Sequence, residues 1–262
     1  MTVLRKSIPA FCLFLLAVCG CAMAPKMTDH MDFRSPEAAL KHIAERIPDN
    51  VALQAMASIQ MITREGRYPL KLALLLKKPA SLRVEAIPLF GTPAFFLSVH
   101  DQTLKVFLTE THAFYIGGAT LDNVARFLPL RMDPEEMVAV LMGTCPPPCG
   151  QSTFLQGRTE GEHYRIDTGG PLKRQSLWLR MTDGFIERLE VYQDQGVSYR
   201  ARFDEPLRVE GAVLPQKTTL VFEGEDGATF TIRFTDIRLL KQPNPAIFDL
   251  KAPPGIKPVY LD

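Results

Sequence analysis

The sequence is short of what nucleic-acid binding, membrane spanning and most catalysis require. Lys and Arg number 30 against 29 Asp and Glu, a net charge of +1 with no basic block. A nucleic-acid surface needs clustered positive charge, so that class is excluded. Past residue 20 no apolar run approaches the roughly 20 residues of a spanning helix. Gly-x-Ser-x-Gly elbows, phosphate loops and paired-glycine dinucleotide motifs are missing. The five histidines are scattered, none paired with a cysteine or acid at metal-ligand spacing. Neither enzyme chemistry nor a metal or cofactor is therefore expected. Internal repeats, low-complexity tracts and interdomain linkers are also missing, and a chain of 262 residues without them suits one domain.

What is present begins at the N-terminus. Arg5-Lys6 precede a short apolar run, Ile8 to Val18, and a small residue precedes Cys21. That order reads as a secretory signal over residues 1–20. Val18-Cys19-Gly20-Cys21 resembles a bacterial lipoprotein signal, which implies cleavage after Gly20 and a lipid on Cys21. Cys19 competes less well, because it follows the bulkier Val18. An ordinary cleaved signal or an uncleaved anchor is the alternative. Ala22 stands where inner-membrane lipoproteins typically carry Asp, so the same resemblance favours the outer membrane, facing the periplasm. Loss of residues 1–20 removes Arg5 and Lys6 and no acid, turning the net charge from +1 to −1.

Of the five cysteines, Cys12 and Cys19 leave with the signal. Cys145 and Cys149 remain, separated by three prolines. In an oxidising compartment a disulfide is the leading reading, contributing about 2 kcal/mol at most because the loop is small. A metal pair lacks a nearby histidine, and a redox pair lacks the Cys-x-x-Cys spacing.

Residues 21–33 read as a tether and 34–262 as a single domain. Ser35 and Pro36 open a helix whose predicted apolar face is Leu40, Ile43, Ala44 and Ile47. From about residue 51 the period becomes two: Leu53 to Met61, Leu70 to Leu76, Leu82 to Ala86, Phe95 to Val99 and Leu104 to Leu108. A short strand at 114–116 follows. Two helices interrupt, one after Thr120 (Leu121, Val124, Phe127-Leu128). The other follows Asp133-Pro134-Glu135-Glu136, with Met137, Val140 and Leu141 buried and Gly143 ending it. Strands resume at Tyr164, Leu177, Leu189, Tyr199, Leu220 and Phe230, with hairpins at Asp183-Gly184 and Asp226-Gly227. The proline-rich tail, Phe248 to Tyr260, reads as an extended strap. Ten or eleven strands with one apolar face each need a cover. The expectation is a mainly β (α+β) fold, an antiparallel, strongly curved open half-barrel covered by short helices. A two-sheet sandwich is the alternative.

Leu82 to Gly143 resembles the LolA/LolB lipoprotein-carrier superfamily. The likeness rests on the strand Leu82-Arg83-Val84-Glu85-Ala86 running into Ile87-Pro88-Leu89-Phe90-Gly91-Thr92. The strand Phe95–Val99, a hairpin, a short aromatic strand and two helices then follow in order. The resemblance implies an unclosed barrel with a helical lid and a cavity for acyl chains, candidates being Leu82, Val84, Phe95, Leu97, Val99, Phe230 and Ile232. It implies a membrane-insertion or transfer loop at Pro88, Leu89, Phe90 and Gly91, Phe90 being extra relative to the family's Pro-Leu-Gly. The implied partners are a periplasmic LolA-like carrier, lipoprotein acyl chains, and membrane lipid through Cys21; the implied state is a monomer. An anchored module for another hydrophobic ligand, such as lipopolysaccharide, and a structural envelope lipoprotein are the alternatives. Taken singly, each apolar residue reads first as core. Glu135-Glu136 read as first-turn acids rather than acid–base catalysts, and Trp178 falls on the strand face opposite the core.

Overall fold

In the computed structural model, the described residues are 31, 33–88, 95–147, 153–194, 196–224 and 227–262. Cys21, the Leu89-Phe90-Gly91 stretch and Cys149 lie outside them, as does Asp226 of the second expected hairpin. Helix α1 (Pro36–Glu45) leads into β1 (Val51–Ile62), β2 (Arg67–Lys77), β3 (Ser81–Ala86), β4 (Phe95–His100), β5 (Thr103–Leu108) and β6 (Ala113–Gly118). Two helices follow, α2 (Leu121–Ala125) and α3 (Pro134–Leu141). The chain then runs β7 (Phe154–Glu160), β8 (His163–Gly169), β9 (Lys173–Arg180), β10 (Ile186–Gln193), β11 (Gly196–Val209), β12 (Ala212–Phe222) and β13 (Thr229–Lys241). A 3₁₀ turn at Pro245–Phe248 and the short β14 (Pro258–Tyr260) end it.

All fourteen strands form one sheet, ordered β14-β6-β5-β4-β3-β2-β1-β13-β12-β11-β10-β9-β8-β7. The first six strands are a meander, and β13 returns to pair with β1, joining the second meander to the first. Pairing is antiparallel except between β14 and β6, which run parallel. The edges, β14 and β7, do not meet in hydrogen bonds, so the sheet is an open half-barrel as expected. The strand count exceeds the expected ten or eleven. Strand β7 is largely exposed and lacks an apolar period, and β14 is three residues inside the proline-rich tail.

Curvature gives the sheet an inside, and the core lies there. Alternate residues of each strand point inward; Leu53, Leu76, Leu82, Val99 and Leu104 line one row and are at most 3% exposed. Helix α3 fills the concave space. Pro134 and every residue from Glu136 to Leu141 are buried and only Glu135 of the first turn is exposed, so beyond that turn the helix is covered on all sides rather than on the Met137, Val140, Leu141 stripe alone. Helix α1 shows a smaller difference: Ala39, Ile43 and Ile47 are buried, whereas Ala44 faces solvent. Ser35 caps it, its hydroxyl accepting from the Ala38 amide at 3.2 Å.

Gly143 ends α3 at φ +66°, and the Thr144 amide donates to the Ala139 carbonyl at 2.9 Å. This is the closing bond expected when a left-handed residue follows a helix. A Cβ at Gly143 would meet Pro215 Cδ at 2.6 Å. Gly143→Ala is therefore expected to cost about 2 kcal/mol, read as a lower urea midpoint; an unchanged midpoint would remove this constraint.

The tail is a strap on the convex face. Phe248, 1% exposed, stacks on His100 with ring centroids 5.7 Å apart, and its carbonyl accepts from the Ser98 hydroxyl. Lys105 and Asp249 pair at 2.6 Å, and the Arg83 guanidinium donates to the Ile247 carbonyl at 3.1 Å. Trp178 does lie on the convex face, yet it is only 7% exposed. Arg165 and Arg188 cover its ring from the neighbouring strands, at 4.7 and 4.4 Å from the centroid. Residues 31–262 form one compact unit that holds the sheet and the described core.

Candidate functional site

The concave face is not sealed evenly. Register across β2, β3, β4 and β5 defines successive inward rows. Leu76, Leu82, Val99 and Leu104 are buried; so are Leu74, Val84, Leu97 and Val106. The next row, Leu72, Ala86, Phe95 and Leu108, is only half-buried. Beyond it Leu70 is 39% exposed, as is Tyr68, the next inward residue of β2. Strand β1 shows the same trend, from Leu53, Ala55 and Ala57 to the half-buried Ile59 and Met61. The apolar interior thus opens toward one end of these strands.

The connection 87–94 leaves and returns at that end. Ala86 pairs with Phe95, and the Ile87 amide donates to the Lys71 carbonyl at 2.8 Å. Continuing the β2–β3 register places Pro88, half-buried, opposite Leu70. Leu89, Phe90 and Gly91 follow, outside the described residues. Of the seven acyl-cavity candidates, Leu82, Val84, Leu97, Val99, Phe230 and Ile232 are at most 2% exposed and belong to the core. Phe95 is the one at the open row.

The segment 119–144, with α2 and α3, lies over the concave face as a lid. Phe127 from this lid packs on Tyr115 of β6, ring centroids 5.2 Å apart. Thr120 caps α2, and the Asn123 amide group donates to the carbonyls of Gly118 and Asp262 at 3.0 and 3.1 Å. Deeper in, the Glu136 carboxylate accepts from the Tyr199 hydroxyl at 2.7 Å and pairs with the Lys173 ammonium at 2.8 Å. Burial first, then the adjacent carboxylate, pushes the Tyr199 hydroxyl well above its ordinary pKa, so it stays protonated and donates. Glu136 is therefore an interior tie between lid and sheet, which its place in a first helical turn concealed.

Among the described residues, several clefts border this frame. One of about 640 Å³ lies at the N-terminus of α3, lined by Glu135, Glu136, Lys173 and Pro147 among others. A second, about 820 Å³, runs between α2 and the β12–β13 end, lined by Leu121, Ala125, Leu128 and Phe222 with Arg126, Arg131, Asp122 and Glu223. A third, about 520 Å³, is on the convex face under Ile247 of the strap. Among the described residues no group of three His, Cys, Asp or Glu could hold a metal ion. No described helix is long and apolar enough to cross a membrane. Cys145 is disulfide-bonded; Cys149 is outside the described residues.

No protein-family model matches the sequence, and no curated protein matches it. Solved structures do. A LolA superfamily protein from Nitrosomonas europaea aligns over 82% of this chain and 98% of its own, at TM-score 0.59 and 12% identity. A DUF1329 family protein from Desulfovibrio piger covers 82% of this chain and 95% of its own, at TM-score 0.59 and 11% identity. A Vibrio parahaemolyticus domain described as an outer membrane lipoprotein-sorting protein covers 82% and 96%, at TM-score 0.54 and 9% identity. Identities this low carry the fold and leave the ligand to this chain's own residues. The chain has the LolA-type fold that its Leu82–Gly143 stretch implied.

Proposed function

We propose that this chain is a non-enzymatic, lipid-anchored carrier of the LolB type. It receives the acyl chains of lipoproteins on its concave face and passes them to the outer membrane. The supporting observation is the exposure gradient along β1 to β5, from a dry interior to the half-open row Leu72, Phe95, Leu108 beside the 87–94 connection. Each methylene taken from water into such a surface gains about 0.8 kcal/mol. That gain favours loading without any catalytic group. The same residues hold acyl chains less completely than a bilayer does, because the row is open on one side, and release into membrane follows. Deep entry requires the lid to lift, since α3 occupies the interior.

Cys21 supplies the anchor in this reading and Leu89-Phe90 the inserting tip. A periplasmic LolA-like protein is the donor. A disulfide at Cys145 suits an oxidising compartment. The test is transfer: the body 31–262, mixed with a carrier loaded with radiolabelled lipoprotein, takes up the label. Full-length protein carrying Leu89→Glu and Phe90→Glu delivers it to membranes at least tenfold more slowly. No uptake, with both substitutions silent, sinks the proposal.

One observation favours a second reading. Arg126 and Arg131 line the α2 cleft together with Leu121, Ala125, Leu128 and Phe222, beside the acids Asp122 and Glu223, a mix of cations and apolar side chains that an anionic amphiphile such as lipopolysaccharide would use. Native mass spectrometry of the extracted protein separates the two readings by the mass of the bound lipid.

A further inference from the structure

The end of the β1–β2 hairpin departs from the pattern of the rest of the sheet. Arg67, Tyr68, Pro69, Leu70 and Lys71 are all exposed, although they alternate between the two faces of β2. A strand exposed on both faces projects past the core it belongs to. Its inward side chains, Tyr68 and Leu70, are each 39% exposed. The tyrosine ring lies across the turn, its hydroxyl 3.7 Å from the Cβ position of Gly66. Its outward side chains are Arg67, Pro69 and Lys71, two of them cationic, and Arg64 adds a third cation in the turn against the lone acid Glu65. Among the described residues none of Arg64, Arg67 and Lys71 has an ion-pair partner. Seven other arginines, Arg158, Arg165, Arg180, Arg188, Arg200, Arg202 and Arg233, each pair with a carboxylate. Arg174, Arg208 and Arg238 are without an ion pair among the described residues, but each stands apart from a second unpaired cation of its own turn, whereas Arg64, Arg67 and Lys71 fall within eight residues of one hairpin.

We infer that this hairpin end is a docking surface for a bilayer bearing anionic headgroups. An exposed tyrosine and leucine on one side and unmatched cations on the other make an amphipathic interfacial element. Tyrosine favours the depth of the headgroups, and each Lys or Arg held near an anionic surface adds attraction that salt screens. The hairpin also borders the start of the 87–94 connection, because continuing the β2–β3 register beyond Leu72 and Ala86 places Pro88 opposite Leu70. Docking here presents the open apolar row to the membrane instead of leaving the body free to tumble on its tether. The inference rests on the proposed reading for which end faces the bilayer, and not on the identity of the cargo.

The experiment is vesicle sedimentation with the compact unit 31–262, which holds the described core and carries no lipid. Wild-type body is expected to bind phosphatidylcholine vesicles containing about one third phosphatidylglycerol and to leave pure phosphatidylcholine unbound. Raising the salt to about 0.5 M releases it. Replacing the three cations, Arg64→Gln, Arg67→Gln and Lys71→Gln, weakens partitioning on the order of a hundredfold. Tyr68→Ala with Leu70→Ala also weakens it and leaves the salt dependence unchanged. All five positions are exposed, and unaltered thermal unfolding confirms intact folding. Equal binding of wild type to both vesicles, or a triple variant that binds like wild type, overturns the inference. So does a triple variant that still docks on vesicles but no longer accepts acyl chains from the carrier, because the cations then serve a protein partner. Charge-dependent docking without acyl uptake supports the surface and removes the transfer reading; uptake without such docking does the reverse.

Discussion

Lys173→Met is expected to lower the stability of the body by about 3 kcal/mol, and Glu136→Gln in the same chain to restore most of it. The Glu136 carboxylate sits with a 6% exposed side chain among apolar residues, paired to Lys173 and accepting from Tyr199. Taking away the ammonium strands a charge that burial penalises. An amide in its place carries no charge and still accepts from the tyrosine. The cost of Lys173→Met therefore belongs to the orphaned carboxylate, not to the ammonium's own packing, and the double variant separates the two. Urea unfolding at neutral pH reads it. A loss under about 1 kcal/mol in the single variant, or no recovery in the double, refutes the role. The three residues come from α3, β9 and β11, so the tie bridges the lid to the half of the sheet away from the open row. Any lifting of α3 must break it, and Glu136→Gln alone should make lid opening easier, visible as faster amide exchange in residues 134–142.

Phe95→Glu is expected to weaken binding of a fluorescent fatty acid by more than a hundredfold while changing folding stability by less than about 2 kcal/mol. Phe95 points inward in the half-open row, paired to Ala86 on one side and Leu108 on the other. A carboxylate there meets water in the empty protein and hydrocarbon in the loaded one. Removing that water costs several kcal/mol, which exceeds the gain from the few methylenes lying beside it. Phe96, the next residue, points to the convex face against Phe107, with ring centroids 6.2 Å apart. Phe96→Ser should leave fatty-acid binding intact, because one residue along a strand is the opposite face. Equal loss in both variants would mean general loosening of β4 and would remove the concave row as the site.

Much of the fold was legible because its strands bury one face. The alternation in Leu82 to Ala86 and Phe95 to Val99 is a direct copy of the pleat, and both became neighbouring strands with those residues inward. Capping signals worked for a related reason: Ser35, Thr120 and Gly143 act within a few residues of themselves. Strand β7 was illegible because, as a largely exposed edge, it needs no apolar period. Helix α3 was half legible. Its start and stop were written locally, but a helix enclosed by a curved sheet has no solvent face to reveal its depth.

The site divides along the same line. Which residues point inward followed from period and parity. Which of them are sealed and which stand open did not, since Val84 and Phe95 both read as inward strand residues in sequence, yet one is buried and the other half-buried. Glu136 shows the same blindness: a first-turn acid is ordinary near a helix dipole, and only Tyr199 and Lys173, 63 and 37 positions away, turn it into an interior tie.

By itself the sequence determined the fold class, the helix caps and the parity of the strands that bury one face, all set by contacts between near neighbours or by an alternation that any half-buried strand must obey. The tertiary structure alone decided that β13 closes onto β1, that α3 fills the concavity, and that the interior opens beside Leu70 and Pro88. Those depend on curvature summed over fourteen strands, a property that no single stretch of chain contains.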